Sequence, residues 1–588
     1  MHSKNAILLI AFTAIMILFQ PASKAIPADP NAVFDIQQPD GTILSIKPVG
    51  DERNGFFTTL DGYTVLKATD NIYYYADIES DGALIPTTVI AHNELDRTTD
   101  EIMFISNQAK LIKPSSANRL FPDQKREPIL LEKSFLKSEV NAINNVLIIL
   151  IQFYDYPAIY DSTAFLNLMN QPGYDIYGSA NDFYLENSYG QFGINSDVSR
   201  WYQAENESIS YGYNDGNNWI MAAQLAREAV VWASLNPEID FSKYDNTGDG
   251  QVDGLFIVHA GPGAETGASD FPWSHRWWLS AAGLSPVVTD GVTIDGYTME
   301  PEIHSGTEIA RIGVFVHEYG HALGLPDLYD TDGSSSGIGS WGVMSGGSWS
   351  GGGKSPSHFC AWSKAELGWI TPVNILKDTT DVLIPDASEF PVAYRLWTEG
   401  LPSSEYFLVE YRGKTNFDSF IPGCGIAVWH IDDAVGGNSN DAHRLVDLEE
   451  ADNTENSSAG DVWINKTFSG TTTPNSADYS GDSTRVSVIV TSTACSTGGM
   501  TVDFQVGLPP GCCLGMRGNI NGDINDEINI EDIVYLVDYS FSSPSGPEPS
   551  CLEEADVDGS TDISIADLVY LVAYSFGTPT GPQPVLCP

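Results

Sequence analysis

A chain of 588 residues is too long for one ordinary domain. Its 42% hydrophobic content is enough for packed cores, but 78 acidic residues against 28 basic ones leave a net charge of −50. Such a surface repels nucleic acid and anionic membranes, and it fits an exported calcium-binding protein or one adapted to salt.

The chain opens MHSKNAILLIAFTAIMILFQPASKA. Lys4 is a basic start, Ala6 to Phe19 is an uncharged apolar run of 14 residues, and Ser23-Lys24-Ala25 is a small-residue cleavage site. Residues 1–25 therefore read as an export signal, with an uncleaved N-terminal anchor as the alternative. No later segment is apolar for long enough to cross a bilayer. The expected product is secreted and extracellular.

Residues 26–143 form a first region with Asp-Gly-punctuated strand patterns such as QPDGTILSIKPVG and NIYYYADIESDGAL, closed by the charged, loosely patterned stretch FPDQKREPILLEKSFLKSE. At Val146 the texture changes. VLIILIQF reads as a strand buried on both faces, NNWIMAAQLAREAVVWASLNP (217–237) as a long helix stopped by Asn236-Pro237, and GLFIVHA (254–260) as another buried strand. Strands alternating with helices predict an α/β layer arrangement for residues 144–372. Within it, DNTGDGQVD (245–253) matches the first nine positions of a calcium loop. Asp245, Thr247, Asp249 and Asp253 are its candidate ligands, but Phe256 at position twelve cannot bind.

Residues 316–330, VHEYGHALGLPDLYD, read as a helix carrying a metal site. His317 and His321 stand four apart on one helical face, where both imidazoles reach one ion. Glu318 projects beside them, placed to take a proton from a water. Gly324 can adopt a left-handed conformation and turn the chain back, which brings Asp327 within reach as a third ligand. Three protein ligands leave a fourth zinc position open for chemistry.

From about residue 373 the pattern is strand-rich to residue 508, with YFLVEY, GIAVWHI, VSVIV and MTVDFQV as short strands, and LPPGCC marks a boundary. All seven cysteines fall at or after Cys360. Cys512, Cys513, Cys551 and Cys587 allow three pairings, the adjacent pair being disfavoured. Cys424 with Cys495 is a further candidate bridge, which would leave Cys360 free. In the tail, 512–588, IVYLVDYSF returns as LVYLVAYSF 35 residues later. Each copy follows a calcium-loop pattern. The first offers Asn521, Asp523, Asn525, Asn529 and Asp532, and the second Asp556, Asp558, Ser560, Ser564 and Asp567. The usual glycine at position six is Asp526 in one loop and Thr561 in the other.

H-E-x-x-H-x-x-G-x-x-D resembles the metzincin zinc signature in its variant with a third-ligand aspartate. The fuller string, with NDFYLENSYGQF, DGLFIVHAGPGAE, SWGVMSGGSW, PSHFCAWSKAELGWITP and EYFLVEYRG, resembles the secreted M6, or immune inhibitor A-like, metalloproteases over about residues 30–507. The resemblance implies a metzincin-like α/β (α+β) zinc endopeptidase with an N-terminal propeptide and a β-rich C-terminal extension. It further implies one catalytic Zn2+ on His317, His321 and Asp327, and Glu318 as general base. It also places Met344 in the methionine turn beneath the metal. Some metzincins carry a tyrosine two residues after that methionine, but this chain has Gly346 there. A propeptide thiolate cannot enforce latency, because residues 26–143 contain no cysteine; a carboxylate, another donor or steric cover must do so.

The paired tail loops resemble a dockerin, a small all-α module that folds around two Ca2+ and docks to a cohesin on a scaffold or cell surface. Two alternatives stay open: a component of a polysaccharide-degrading assembly, and a non-catalytic calcium-binding surface protein with a degenerate protease fold. No identifiable pair of acid/base carboxylates supports the former.

Overall fold

The computed structural model describes residues 24–51, 55–68, 70–80, 82–113, 142–212, 219–331, 333–507, 513, 516–522, 528–541, 546–549, 551–560, 562–577 and 581–587. Most of the export signal (1–23), the charged stretch, Asp523, Asn525, Asp526, Thr561 and Cys512 lie outside the described residues.

The N-terminal region is an antiparallel meander of six strands: β1 (Phe34–Gln37), β2 (Ile43–Val49), β3 (Phe56–Thr59), β4 (Thr64–Lys67), β5 (Tyr73–Ile78) and β6 (Leu84–Ile90). Helix α1 (Thr99–Ile105) follows, started by a capping box between Thr98 and Glu101.

The next region is built on a mixed sheet. Its strands are β7 (Ala142–Gln152), β8 (Phe192–Val198), β9 (Tyr202–Gln203), β10 (Leu255–Pro262), β11 (His275–Trp278), β14 (Gly296–Ser305) and β15 (Glu308–Ile309). A hairpin of β12 (Val287–Thr289) and β13 (Val292–Ile294) stands beside it. The sheet order is β11-β14-β10-β7-β8; β14, β10, β7 and β8 run parallel, and β11 is an antiparallel edge. Helices α2 (Ser162–Asn170), α3 (Ala180–Asn187) and α5 (Ile312–Ala322) cover one face, and α4 (Trp219–Ser234) the other. Strand β7 shows why its sequence is continuously apolar. Val146, Ile148 and Leu150 pack toward α5, while Leu147, Ile149 and Ile151 pack toward α4. Helix α4 stops at Ser234, short of Asn236, because a residue before proline is driven out of the helical region.

After α6 (Ala361–Glu366), two sheets form. One contains β16 (Val373–Asn374), β18 (Tyr394–Leu396), β19 (Glu405–Arg412), β20 (Gly425–Asp432) and β21 (Val446–Leu448). The other contains β17 (Thr379–Ile384), β22 (Thr467–Phe468), β23 (Ser487–Val490) and β24 (Met500–Gln505). Phe407, Val409, Ile426 and Val428 face the second sheet. Leu408, Ala427, Trp429 and Ile431, on the opposite face, belong to the same apolar core as α5. The packing is therefore continuous across residue 372.

In the tail, α7 (Ile530–Phe541), α8 (Leu552–Ala555) and α9 (Ile565–Phe576) surround a small core of Ile520, Leu536, Ala555, Val557 and Leu571. The Cys424–Cys495 bridge is present, Cys513 pairs with Cys587, and Cys360 is a buried free thiol. Among the described residues no helix is long and apolar enough to cross a membrane.

Candidate active site

Helix α5 is buried along residues 312–321. Its end follows from one glycine. Gly324 sits at φ +102°, the Leu325 amide bonds back to the Gly320 carbonyl, and the Gly324 amide bonds to that of His321. This is a Schellman turn, which only a residue tolerant of positive φ completes without strain. The reversed chain delivers Asp327 to the helix. Its Oδ1 lies 3.0 Å from His321 Nε2 and 3.4 Å from His317 Nε2.

The imidazoles are held by their other nitrogens. His317 Nδ1 contacts the Val343 carbonyl at 2.8 Å, and His321 Nδ1 the Leu325 carbonyl at 2.8 Å. Those contacts direct both Nε2 atoms inward. His317 Nε2, His321 Nε2 and Asp327 Oδ1 are fully buried and make no aligned hydrogen bond. The ligand atoms of the three residues converge within 4.8 Å. Ligands about 2.0–2.1 Å from a tetrahedral zinc stand roughly 3.3 Å apart, so the trio fits such an ion. Burial lowers His321 to about 4, which keeps the ring a neutral donor. Burial works against the charge of Asp327, yet His321 and His317 outweigh it and hold the carboxyl well below the usual carboxylate range.

Glu318, fully buried, lies against a segment far away in sequence. Its Oε1 accepts the Ile26 amide at 2.8 Å. Residues 24–29 thread past the His317–His321–Asp327 cluster. Lys24 forms an antiparallel bridge with Arg276 on edge strand β11, and Lys24 Nζ donates to the Leu325 carbonyl at 3.0 Å. Trp273 Nε1 donates to the Ile26 carbonyl and Trp349 Nε1 to that of Pro27, both at 2.9 Å. The Tyr329 hydroxyl donates to the Ala25 carbonyl at 2.8 Å, with Asp51 Oδ2 3.2 Å away.

Met344 lies directly beneath the helix. A Cβ on Gly320 would stand 2.5 Å from its Sδ, so glycine at that position permits the approach. The Met344 carbonyl accepts the Leu328 amide at 2.8 Å, tying the loop under the helix to the segment that carries Asp327. Gly346 has room for a side chain, its nearest neighbour to a Cβ being 3.5 Å away.

The second tail loop brings Asp556, Asp558 and Asp567 together, and the Ser564 hydroxyl caps α9. Ser560 donates its amide to Asp556 and Asp558. In the first loop, the buried Asp532 accepts the amides of Asn521 and Asn529. Loop 245–253 is different. Asp245 caps the amides of Gly248, Asp249 and Gly250, and Asp253 those of Asn246 and Thr247. Their carboxylates do not converge as a trio there.

Reasoning from sequence did not anticipate Tyr329 or the return of residues 24–29. Tyr329 stands two residues after Asp327, inside the metal motif itself, and that position was the available signal. The Ile26–Glu318 contact spans 292 residues and carries no local signature.

Two curated relatives are similar. The pre-pro-metalloprotease PrtV of Vibrio cholerae serotype O1 (strain M66-2) is 32% identical over 227 residues, covering 33% of this chain and 24% of that protein. Immune inhibitor A of Bacillus thuringiensis subsp. alesti is 32% identical over 219 residues, covering 31% of this chain and 30% of that protein. The chain thus spans less than a third of the length of these relatives. Among solved structures, wild-type OgpA from Akkermansia muciniphila is 12% identical, and the match covers 53% of this chain and 94% of that chain at a TM-score of 0.24. Residues 136–370, which contain every residue of the His317–His321–Asp327 cluster, match the family described as immune inhibitor A peptidase M6, catalytic domain.

Proposed function

We propose that the chain is a secreted zinc-dependent endopeptidase acting on protein substrates. The observation that carries this reading is the inward convergence of three buried, unaligned ligand atoms on His317, His321 and Asp327 with Glu318 beside them. Zinc held there would supply Lewis acidity to the scissile carbonyl and to the attacking water. Glu318 takes the proton of that water and returns it to the leaving amine. Its position supports the second task, since Oε1 already lies 2.8 Å from a backbone amide nitrogen. Met344 and the carbonyls of Val343 and Leu325 keep the two imidazoles in place.

The N-terminal region is read as a propeptide. Residues 26–29, at the start of that propeptide, cover Glu318 by steric occupation, and no thiolate is required. The uncleaved form should be inactive until cut near residues 120–143. The tail is read as a calcium-loaded dockerin that attaches the enzyme to a cohesin-bearing scaffold or surface, supported by the repeated loop–helix units and the Asp556–Asp558–Asp567 cluster.

The deciding experiment combines zinc analysis with casein digestion by the processed protein. Glu318→Ala should retain zinc and lose hydrolysis, whereas Asp327→Ala should lose both. Wild-type digestion rates in Glu318→Ala would refute the assignment.

A further inference from the structure

The propeptide leaves part of the cleft unfilled. A cavity of about 480 Å³ lies against Pro27 and Ala28. On the catalytic side its wall includes Tyr329, Asp330, Gly333, Ser340, Gly346 and Trp349. We infer that this cavity is the specificity pocket for the second residue after the scissile bond, that Gly346 keeps it open, and that Asp330 selects lysine or arginine there. The inference rests on the protease reading above and deepens it.

Residues 26–30 of the propeptide set the register. The Ile26 nitrogen lies 2.8 Å from Glu318 Oε1, the group that returns a proton to the leaving amine. The chain that follows that nitrogen therefore runs along the leaving-group side of the cleft. Ile26 stands first after the bond, fully buried in the core that contains α5. Pro27 stands second, half-buried, and its carbonyl accepts from Trp349 Nε1 at 2.9 Å. Trp273 Nε1 holds the Ile26 carbonyl in the same way. Both indoles belong to the catalytic side and would hold a substrate backbone in the same register. The proline ring is compact, and the cavity beside it has room for a much longer side chain.

Gly346 gives the pocket its depth. Its φ lies outside the left-handed region, so the backbone makes no demand for glycine. A Cβ there would stand 3.5 Å from Gly339 and 3.8 Å from Ser340, and both of those residues line the cavity. A larger residue is therefore tolerated at this position, and it would grow into the pocket.

The charges are complementary across the cavity. Among the described residues that line it from the catalytic side, Asp330 is the only charged one. Its Oδ2 accepts the Ser334 hydroxyl and the Ser335 amide, both at 2.8 Å, which fixes the carboxylate in the wall. Arg444 lies behind Ser335, but Asp441, Asp447 and Glu455 ring it, so this side stays net negative. The propeptide side brings two cations, Lys47 and Lys113, in a chain with only 28 basic residues. Lys113 Nζ reaches to 3.6 Å from the Cβ position of Gly333 on the opposite wall. The one propeptide acid in the wall, Asp51, lies 3.2 Å from the Tyr329 hydroxyl. Removing the propeptide removes both lysines, and a cationic substrate residue restores the balance. The stem of a lysine or arginine covers apolar surface of the wall while its head stays with the carboxylate.

The test uses the processed secreted protein, its N-terminus assigned by mass spectrometry. The substrate is a proteome digest cut after glutamate, in which lysine and arginine stay internal. Every new peptide end is sequenced, and the residues around each cut are counted. Wild type should enrich lysine and arginine about threefold or more at the second position after the cut. Gly346→Phe should deplete lysine, arginine and other large residues there by about tenfold in favour of glycine, alanine and serine, and Gly346→Ala should fall between. Asp330→Asn keeps an acceptor for Ser334 and Ser335. It should level lysine and arginine with methionine and glutamine while the preference for long side chains stays. A merely structural defect would lower all cuts alike and leave these ratios as they were. A wild type without the cationic bias at that position, or a bias that neither Gly346→Phe nor Asp330→Asn moves, overturns the inference while leaving the protease reading standing. A wild type that cuts no peptide or protein overturns the protease reading itself.

Discussion

Asp418→Asn perturbs a bolt between the β-rich extension and the loop beneath helix α5. Arg412 and Asp418 are both fully buried, with Nε to Oδ2 at 2.8 Å and Nη2 to Oδ1 at 2.7 Å. Arg412 Nη1 also donates to the Trp341 carbonyl at 2.8 Å, and Asp418 accepts the His358 amide at 2.8 Å. Burial opposes the charge of Asp418, but Arg412 outweighs it and holds the carboxyl at about 2. Asparagine keeps the shape and leaves the guanidinium facing only Glu410, at 3.4 Å, as a carboxylate partner. Breaking a buried pair from one side costs about 3–5 kcal/mol. In a cooperative unit that runs from β7 to β24, roughly 360 residues, each kcal/mol moves Tm by about 1–2 °C. The transition carrying this region should therefore fall by roughly 3–10 °C in calorimetry near neutral pH. Because the folded-state value is depressed from 3.8, the pair's contribution is present above that pH and lost as pH falls through about 2, so wild type and variant should converge in acid. A triple variant, Arg412→Met and Asp418→Leu with Glu410→Gln, should recover much of the loss because no charge is then stranded. A drop under about 2 °C for Asp418→Asn, or a triple variant no better than the single, would refute the reasoning.

Three further outcomes follow from buried charges and from the tail. Burial disfavours the charge on His430, but Glu405 at 2.9 Å and Glu449 at 3.1 Å outweigh it and raise the ring from 6.5 to about 9. Its stabilisation, about 3 kcal/mol, is full below pH 6.5 and lost as pH rises through 9. His430→Gln should flatten the Tm-versus-pH curve across that window, and an unchanged slope would count against the pairing. Glu300 is fully buried, neither carboxyl oxygen has an aligned hydrogen-bond partner, and burial, helped by Glu265 and only partly offset by Thr298, raises it well above 4.5. A raised acid loses stability as pH climbs past its ordinary value, so Glu300→Gln should melt higher than wild type at about pH 8 and equal it near pH 4; a lower Tm at pH 8 would be the contrary result. Calcium should raise the melting transition of the tail, and Asp567→Ala should abolish that response in the second loop; a calcium shift that survives in a variant lacking both Asp532 and Asp567 would place the ion elsewhere.

Much of the architecture was written in local pattern. The alternation inside VLIILIQF is a strand with two buried faces, and the four-residue spacing of His317 and His321, close to the helical period, is enough to pair their rings on one side of α5. Gly324 was readable for the same reason, since a turn needing φ +102° advertises itself by residue type. What escaped was non-local. Nothing near Ile26 announces that its amide meets Glu318, and nothing near Leu408 or Trp429 announces that they share a core with α5. Loop 245–253 carries the acidic spacing of a calcium loop, and there the carboxylates of Asp245 and Asp253 accept backbone amides of the turn itself.

Strands β19 and β20 serve two cores at once, with alternate residues facing α5 and the four-stranded sheet. That shared wall bears on how such a protein can be cut, shuffled or produced in pieces. The stretch that matches the family ends at residue 370, yet a fragment ending there would leave helix α5 with an open apolar flank where Leu408, Ala427, Trp429 and Ile431 now close it. The portable unit, whether for recombination in evolution or for expression at the bench, runs at least from β7 through β24.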